Sequence, residues 1–482
     1  MHFFDTSMTS PDHPVLGHFG RAWALLLIMV VWGSAAMGQE TDFSPFARFG
    51  LGTSQGTLTP AIASMGGVTS VSAGHMSVNA DQPASSASIV HPTFQGSVNL
   101  QGIRLTEGDR STQTMTGGPG SFGLVIKRAR RPRAFHLGLT PMTSKAFDVA
   151  RSLSDSTLGD ITESYEGQGG LARAYVGLSR GWRGRRWNPA GASDSVLVNM
   201  WGLDAGIQVD HWFGDAIQSA VLDIEDVTFR DVRTSISSRH RATGFILGAE
   251  GYKMLRVKYN DSKDFQGSWM LKLGGTWSPA RTLNTDFSRL VQSTVVFNGV
   301  VAGLDTSSYE AAILNGKVPQ KWTLGGGLQW DGPTGGRLGV FVDHHSQSWS
   351  SSDGTLDHLM EGAAVWNDAS STAVGVMVTP KRKAGKTSRS TWRFGMRQST
   401  LPTTLLSDDG STHDLTEQRV SLGVNTPLKG SRSASQLHFG MDFGTRNTTL
   451  NSVHTESNLR LHVGVTLTPT AKNLWLIPRL YD

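Results

Sequence analysis

Alternation of apolar and polar residues dominates the chain after residue 90. Residues 458–468 show the pattern in its simplest form, because every second position is apolar and the positions between them are polar or glycine. The apolar members are Leu459, Leu461, Val463, Val465 and Leu467. Successive side chains of a β-strand point to opposite faces, so each such segment has one apolar and one polar face. No long stretch carries the 3.6-residue period of an amphipathic helix, and we predict an all-β fold.

Alternating segments recur along the chain and predict fourteen strands. A further segment, 291–303, also alternates. Single-chain bacterial barrels have an even number of strands, so we assign 291–303 to a long loop. The fourteen predicted strands span residues 93–106, 120–128, 134–149, 164–180, 196–229, 237–254, 266–281, 321–331, 336–349, 369–380, 388–400, 415–427, 433–446 and 458–468.

Short and long connections take turns between these strands. Short turns such as 129–133 and 332–335 alternate with long connections such as 282–321 and 350–368. Basic residues cluster at the short turns, as in 127–133, whereas the long connections are acidic. Outer-membrane barrels show this asymmetry, with short periplasmic turns and long external loops. The basic run 127–133 taken alone would also fit a nucleic-acid patch, but a solvated turn accounts for it and no nucleic-acid partner is expected.

The N-terminus has the layout of a secretory signal. Residues 22–32 form a short apolar core behind Arg21 and run into small residues up to Gly38. We predict cleavage after Gly38, so that residues 1–38 are the signal peptide and the mature chain begins at Gln39. An uncleaved anchor is the alternative, but a spanning helix needs about 18 to 20 apolar residues. No later apolar run is that long, so the exported chain is either soluble or a β-barrel.

Composition narrows the chemistry. The chain has no cysteine, which excludes disulfides, thiolate catalysis and cysteine metal sites. Its 56 glycines and many β-branched residues favour strands and tight turns over helices. The net charge of +5 does not by itself indicate a nucleic-acid partner.

Residues 39–92 have a different composition from the strands that follow. Glycine, serine and alanine dominate there, and the apolar runs are short. The segment is either a flexible leader or a plug that folds into the lumen of the barrel.

Several short motifs resemble the outer-membrane barrels of the long-chain fatty-acid and hydrocarbon transporter type (FadL-like), in an uncharacterised branch of that family. Each motif is short, and their order along the chain is the stronger signal. The motifs are Ala-Arg-Phe-Gly-Leu-Gly at 47–52, Ser-Met-Gly-Gly at 64–67, Asn-Ala-Asp-Gln-Pro-Ala-Ser at 79–85, and the segments 165–170, 211–214, 378–380, 391–395, 423–427 and 473–482.

The resemblance implies fourteen strands, an N-terminal hatch inside the lumen and, as in the characterised members, passive uptake of small hydrophobic molecules. Carried onto this sequence, the hatch motif corresponds to Met65, Gly66, Gly67, Asn79 and Pro83. Two or three extra residues separate Asn79 from Pro83, compared with the family pattern Asn-Pro-Ala-Ser.

No catalytic, cofactor or metal site is evident in the sequence, and we expect a non-enzyme. The glycine-rich stretches lack the pattern of a phosphate-binding loop. His344 and His345 are the best metal candidates, but adjacent residues of a strand face opposite sides and cannot easily share one ion.

Charged residues of both signs occupy the polar faces of the predicted strands. If the apolar faces meet lipid, these side chains line a lumen that holds water or a plug, because a dry interior would leave them unpaired. They either form a salt-bridge lattice that keeps the barrel rigid or select a substrate. The predicted lumen-facing residues are Asp204, Asp210, Lys272, Asp343, Arg393, Arg397, Arg419, Asp442 and Arg460.

Tryptophans near predicted strand ends suit the aromatic girdles of a membrane barrel. These residues are Trp182, Trp187, Trp201, Trp212, Trp322, Trp330, Trp349 and Trp392.

The sequence therefore predicts a closed antiparallel transmembrane β-barrel in the outer membrane of a Gram-negative bacterium. Residues 39–92 form the plug or hatch, 93–470 the barrel and 471–482 a periplasmic tail. The leading function is a passive channel for small hydrophobic molecules, with lipid and such a molecule as partners. One alternative is a non-transporting plugged barrel that serves as a scaffold for envelope structure, secretion or adhesion, and another is a soluble periplasmic β-protein.

Overall fold

The structure, a computed structural model, describes most of the chain between Ser44 and Thr468. The predicted signal peptide, its cleavage site at Gly38 and Gln39, and the predicted tail 471–482 lie outside the described residues. The described residues are 44–55, 59–72, 74, 77–107, 110–127, 131–155, 159–189, 195–224, 230–259, 265–297, 300–352, 354–381, 390–407, 409–428, 435–448 and 455–468.

Nineteen strands lie within these residues. The first eleven are β1 (Thr53–Ser54), β2 (Thr93–Glu107), β3 (Arg110–Ile126), β4 (Arg133–Ser144), β5 (Phe147–Asp155), β6 (Gly159–Pro189), β7 (Ser195–Ile224), β8 (Asp231–Tyr259), β9 (Phe265–Ser278), β10 (Arg281–Phe297) and β11 (Val300–Val318). The others are β12 (Lys321–Asp331), β13 (Arg337–Gln347), β14 (Ala364–Trp366), β15 (Ala369–Thr379), β16 (Thr391–Leu406), β17 (Thr412–Pro427), β18 (Gln436–Asn447) and β19 (Thr455–Leu467).

Fourteen of these strands form the wall of a closed antiparallel barrel. The wall runs through β2, β3, β4, β6, β7, β8, β9, β12, β13, β15, β16, β17, β18 and β19, each paired with the next. β19 then pairs with β2, from Thr455↔Thr106 to Leu467↔Phe94, and closes the ring. Closure leaves the ring without a terminal strand, as a lipid environment requires. The predicted fold and the count of fourteen are confirmed.

The predicted long loop 282–321 is wrong, because this segment is a β-hairpin. β10 and β11 pair with each other, and β10 also pairs with β8 from Asn284↔Arg241 to Thr294↔Asp231. β9 meanwhile pairs directly with β12, so the hairpin lies outside the wall. The alternation in 291–303 is therefore that of real strands. β10 pairs with residues 231–241 of β8, which lie beyond the part of β8 that pairs with β9, and β11 pairs with β10.

The faces of the wall are inverted relative to a water-soluble protein. Apolar side chains such as Leu178, Ile207 and Leu273 are exposed on the outside, whereas charged and polar side chains such as Asp204 and Lys272 are buried inside. A soluble β-protein would pack the apolar side chains against each other, so the alternative of a soluble periplasmic protein is wrong. The chain is an outer-membrane β-barrel, and its outer face contacts lipid.

Two cross-strand tryptophan pairs mark the levels of the membrane interfaces. Trp277 lies directly opposite Trp322, and Trp269 lies directly opposite Trp330. Eight residues separate the two levels along each strand, which is about 27 Å at about 3.4 Å per residue. A strand tilt of roughly 40° reduces this to about 20 Å along the barrel axis, near the height of about 25 Å expected for the apolar band.

Two predicted girdle tryptophans instead lie on the inner side. Trp349 is buried and stacks on Trp366, with ring centroids 4.6 Å apart. Trp212 donates a hydrogen bond of 2.7 Å to Asp210 and lies under the guanidinium of Arg281. The girdle prediction is therefore wrong for Trp349 and Trp212, because proximity to a strand end does not tell which face of the wall a side chain occupies. The side chain of Trp187 lies outside the described residues.

The described part of the N-terminal segment folds inside the ring of strands. It contains a short helix, α1 (Pro60–Ala63), and two 3-10 turns, Pro45–Arg48 and Pro83–Ala87. α1 and the turn Pro83–Ala87 are buried throughout. Among the described residues, no helix has both the length and the apolar character needed to cross a membrane.

Candidate functional site: the lumen and its N-terminal segment

All nine predicted lumen residues lie on the inner face of the wall. Asp204, Asp210, Lys272, Asp343, Arg393, Asp442 and Arg460 are buried, and Arg397 and Arg419 are partly buried. The structure divides them by partner, because some bind other wall strands and some bind the N-terminal segment.

Ion pairs join inner-facing charged residues of different strands. Arg183 holds Asp204 with two hydrogen bonds, of 2.6 and 3.0 Å. Arg281 pairs with Asp210 at 2.6 Å. Arg419 on β17 pairs with Asp442 on β18, which also contacts His462 on β19 at 2.5 Å. These contacts form part of the lattice that the sequence analysis offered as one role for the charges.

Asp343 on β13 binds the N-terminal segment. Its carboxylate accepts hydrogen bonds from the backbone amides of Thr69, at 2.5 Å, and Ser70, at 2.8 Å, and from the Ser70 hydroxyl. One carboxylate thus satisfies two backbone amides and a hydroxyl of the N-terminal segment, because a carboxylate accepts several hydrogen bonds at once. Charge-assisted bonds of this kind are stronger than neutral ones.

A second anchor joins the same segment to β8 and β9. Glu250 accepts hydrogen bonds from the amide and hydroxyl of Ser72, at 3.1 and 2.7 Å. Lys272 donates to the Ser72 carbonyl at 2.6 Å. Glu250 was missed in the sequence analysis, although the alternation of β8 places it on the same inner face as Gly248. The alternation of β8 is the signal that predicts an inner position for Glu250.

The motif Met65-Gly66-Gly67 forms a tight turn against β16 and β17. Met65 is buried, and the amide of Gly66 donates to the Ser421 hydroxyl at 2.8 Å. Gly66 and Gly67 have φ of +69° and +83°, a region that favours glycine. A Cβ on Gly66 would lie 2.6 Å from the Met396 carbonyl oxygen. Both the backbone conformation and the close approach to the wall therefore require glycine at position 66.

Asn79 and Pro83 shape the next part of the segment. The Asn79 side chain donates to the Thr69 carbonyl at 2.8 Å and accepts from the Asp81 amide at 3.1 Å. Pro83 begins the buried turn Pro83–Ala87. The side-chain amide of Gln82 donates a hydrogen bond to the Ser70 carbonyl at 2.8 Å. These bonds hold the two halves of the segment together inside the lumen.

The wall parts between β3 and β4. These strands pair over five residues only, from Phe122↔Leu139 to Ile126↔Phe135, whereas a strand needs about 9 to 11 residues to cross the bilayer. Beyond Leu139, β4 pairs instead with β1 of the N-terminal segment, as Ser54↔Thr143 and Thr53↔Ser144. A short strand from inside the barrel thus replaces β3 as the neighbour of β4.

Gly52 makes this replacement possible. Its φ is +90°, and a Cβ there would overlap the carbonyl oxygen of Ser144. The backbone amide of Gln55, the residue after β1, donates to the Met142 carbonyl at 2.9 Å. Gly52 was part of the motif at 47–52, but nothing in the sequence indicated which strand the motif would meet.

A cavity of about 360 Å³ lies beside the gap. Thr53, Ser54, Met142 and Thr143 line it on the side of β1 and β4. The rest of the lining is divided in character. Its apolar part includes Phe46, Phe49, Leu51, Trp212, Trp349 and Trp366, and its cationic part includes Arg173, Arg281, Lys321, Arg397, Arg419, Arg446 and Arg460.

The two histidines considered as metal ligands are separated by the wall. His344 is exposed and bonded to Thr372, whereas His345 is bonded to Ser371, with 2.7 Å between His345 Nδ1 and the hydroxyl. Within the described part of the chain, no group of three or more His, Asp or Glu residues is placed to hold a metal ion.

Comparison with known families identifies the chain. The family model BamG matches residues 22–482. The protein belongs to the BamG family. No curated protein sequence matches it significantly.

Solved structures similar to this BamG-family chain include two toluene transporters and a FadL homologue. The toluene transporter TbuX of Ralstonia pickettii is 12% identical with a TM-score of 0.44, covering 85% of this chain and 98% of its own. A FadL homologue of Pseudomonas aeruginosa is 13% identical with a TM-score of 0.46, covering 89% and 99%. The toluene transporter TodX of Pseudomonas putida is 13% identical with a TM-score of 0.46, covering 85% and 97%. The predicted resemblance to FadL-like transporters is confirmed. The closure of the barrel and the number of its strands are shown by the strand pairing alone.

Proposed function

We propose that this BamG-family barrel is a passive channel that passes small hydrophobic molecules sideways into the membrane through the gap between β3 and β4. The observation that carries the proposal is the parting of β3 and β4 beside the cavity. The wall loses its β3–β4 pairing after Leu139, and β1, which lines the cavity, takes the place of β3 beside β4. A lateral route suits hydrophobic molecules, because they would pass from the apolar side of the cavity into hydrocarbon without crossing water.

The lining of the cavity supports an apolar cargo. Phe46, Phe49, Leu51 and Trp366 form an aromatic and aliphatic wall that would bind the body of such a molecule. Toluene, the molecule named for two of the similar structures, is a suitable neutral probe. The proposal involves no catalytic step.

A disulfide across β1 and β4 tests this route. Ser54 and Thr143 are register partners, and such partners lie at a Cα separation that a disulfide can bridge. Because the chain has no cysteine, Ser54→Cys with Thr143→Cys would form a single defined crosslink. We expect toluene uptake into proteoliposomes to stop on oxidation and to return on reduction. The control pair, Ser237→Cys with Ser288→Cys, joins register partners of β8 and β10 outside the wall and should leave uptake unchanged.

A plugged scaffold without transport is the second candidate, and the buried bonds of the N-terminal segment favour it. The segment is anchored to β8, β13 and β17 through Glu250, Asp343 and Ser421. If toluene uptake equals that of empty liposomes in both redox states, the channel proposal is wrong and the scaffold is supported.

A further inference from the structure

Two arginines lie directly opposite each other on the outer face of the barrel. Arg133, the first residue of β4, is the register partner of Arg180 on β6. Both side chains are exposed and lie on the same face as the outward-facing Leu137 and Leu178. Like charges directly opposite on neighbouring strands destabilise a sheet, so a negatively charged group between them would offset a repulsion that is built into the register.

No carboxylate in the described part of the chain supplies that group. The nearest acidic side chain on the neighbouring strand β7 is Asp204, which is buried on the inner face and bound by Arg183. The outward-facing register partner of Arg180 on β7 is Ala205, whose small side chain leaves space beside the guanidinium. On β6 itself, Arg180 lies 5.4 Å from the centroid of the Trp182 ring, a cation–π contact that holds it near the wall.

The arginine pair lies at the periplasmic interface of the membrane. The connections at this end of the barrel are the short ones, which are periplasmic in outer-membrane barrels. Arg133 follows one of these turns directly, and the exposed Trp182 lies beside Arg180. Arginine and tryptophan at such a level lie beside lipid head groups.

We infer that Arg133 and Arg180 bind the phosphodiester of a phospholipid in the periplasmic leaflet. The guanidinium fork matches the geometry of phosphate oxygens and binds them with two parallel hydrogen bonds. Above the pair, the exposed side chains of Leu137 and Leu178 offer an apolar track for an acyl chain. Free inorganic phosphate is also an anion but has no acyl chain, so it would contact only the polar half of this site.

Lipid retention by the full chain tests the inference. We expect the unmodified protein, purified in a non-ionic detergent, to be stabilised against heat by added dioleoylphosphatidylglycerol. The double variant Arg133→Gln with Arg180→Gln should need at least tenfold more of this lipid for half-maximal stabilisation. Inorganic phosphate at the same concentration should stabilise neither protein. Heat-modifiable mobility on gels shows whether each variant is folded.

Arg337→Gln is the matched control. Arg337 also lies at the short-turn end of the barrel, but it pairs with Asp331 at 2.6 Å and should leave lipid binding unchanged. If the double glutamine variant does not fold, Arg180→Lys keeps the charge but loses the fork and should still weaken lipid binding. Equal lipid requirement in the unmodified and variant proteins would overturn the inference, and so would equal stabilisation by inorganic phosphate.

Discussion

The backbone amide of Ser70 donates a hydrogen bond of 2.8 Å to the carboxylate of Asp343. Asp343 lies on β13, and 273 residues separate the two positions along the sequence. This bond shows how the charged inner face is used, because a carboxylate that would otherwise be buried without a partner is paired with amides of the N-terminal segment. The N-terminal segment that fills the lumen therefore also supplies hydrogen-bond partners to charged side chains of the inner face.

Asp343→Asn should loosen the N-terminal segment without unfolding the barrel. The amide side chain keeps the shape but removes the charge and one acceptor oxygen, and hydrogen bonds to a charged group contribute roughly 1.5–3 kcal/mol each. We expect hydrogen exchange at residues 68–72 to accelerate about tenfold or more, with little change in the wall strands. Asp305→Asn, at an exposed position of β11, is the control and should change neither. Unchanged exchange at 68–72 in Asp343→Asn would contradict the anchoring role.

Gly52→Val should separate β1 from β4. The substituted side chain would overlap the Ser144 carbonyl oxygen and would be strained at a φ of +90°. If β1 closes the lateral gap, this variant should raise toluene uptake in proteoliposomes and expose residues 53–55 to protease. Gly102→Val is the comparison, because a Cβ at Gly102 meets nothing within 4 Å. Equal toluene uptake in the two variants would contradict the prediction that β1 closes the lateral gap.

The wall was predictable because lipid imposes a two-residue period on every strand that it covers. Each of the fourteen wall strands overlaps a predicted one. The period does not distinguish a wall strand from a strand that pairs outside the wall. The rule that barrels have an even number of strands therefore removes 291–303 from the predicted strands, although the segment does form strands. The outward position of an apolar side chain also had to be assumed, because alternation alone does not say which face meets lipid.

The site was less predictable, because its contacts join residues far apart in the sequence. Alternation identified Asp343 and Lys272 as inner-face residues. Alternation does not predict that Asp343 binds Ser70 or that Lys272 binds Ser72, because these contacts depend on the path of the N-terminal segment through the lumen. Gly52 belonged to a recognised motif, but its role depends on the backbone of Ser144. The predicted strand 120–128 leaves out residues 110–119 of β3, which lack apolar–polar alternation. The sequence therefore could not show that β3 continues there without pairing with β4.

Leu273→Arg should impair folding, whereas Leu304→Arg should be tolerated. The two leucines are similarly exposed, at 59% and 55%, but Leu273 lies midway between Trp269 and Trp277 on β9, and Leu304 lies on β11 outside the wall. Arginine on the lipid face near the bilayer midplane costs about 2–4 kcal/mol. Folding yield in lipid vesicles, measured by heat-modifiable mobility, should fall for Leu273→Arg alone. Equal yields would contradict the membrane position of β9.

Lys145 provides a pH test outside the spanning strands. It follows the last residue of β4, is buried, and donates to the Arg48 carbonyl at 2.9 Å. Burial lowers the pKa of Lys145 from 10.5 to about 8, with Glu361 opposing the shift and nearby Arg48 adding to it. Desolvation penalises the charged ammonium, so the folded protein loses this proton at a lower pH than the unfolded chain does.

The stability of the barrel should therefore rise as the pH increases from about 8 to 10.5. In this window the unfolded chain still binds the proton that folded Lys145 has released, and stability rises with pH wherever the unfolded state binds more protons. Lys145→Met removes this contribution, so the difference in urea midpoint between the two proteins, measured by tryptophan fluorescence in lipid vesicles, should change across the window and level off below pH 7. Because all other titrating groups are shared, a constant difference from pH 7 to 10.5 would show that Lys145 titrates alike in the folded and unfolded chains.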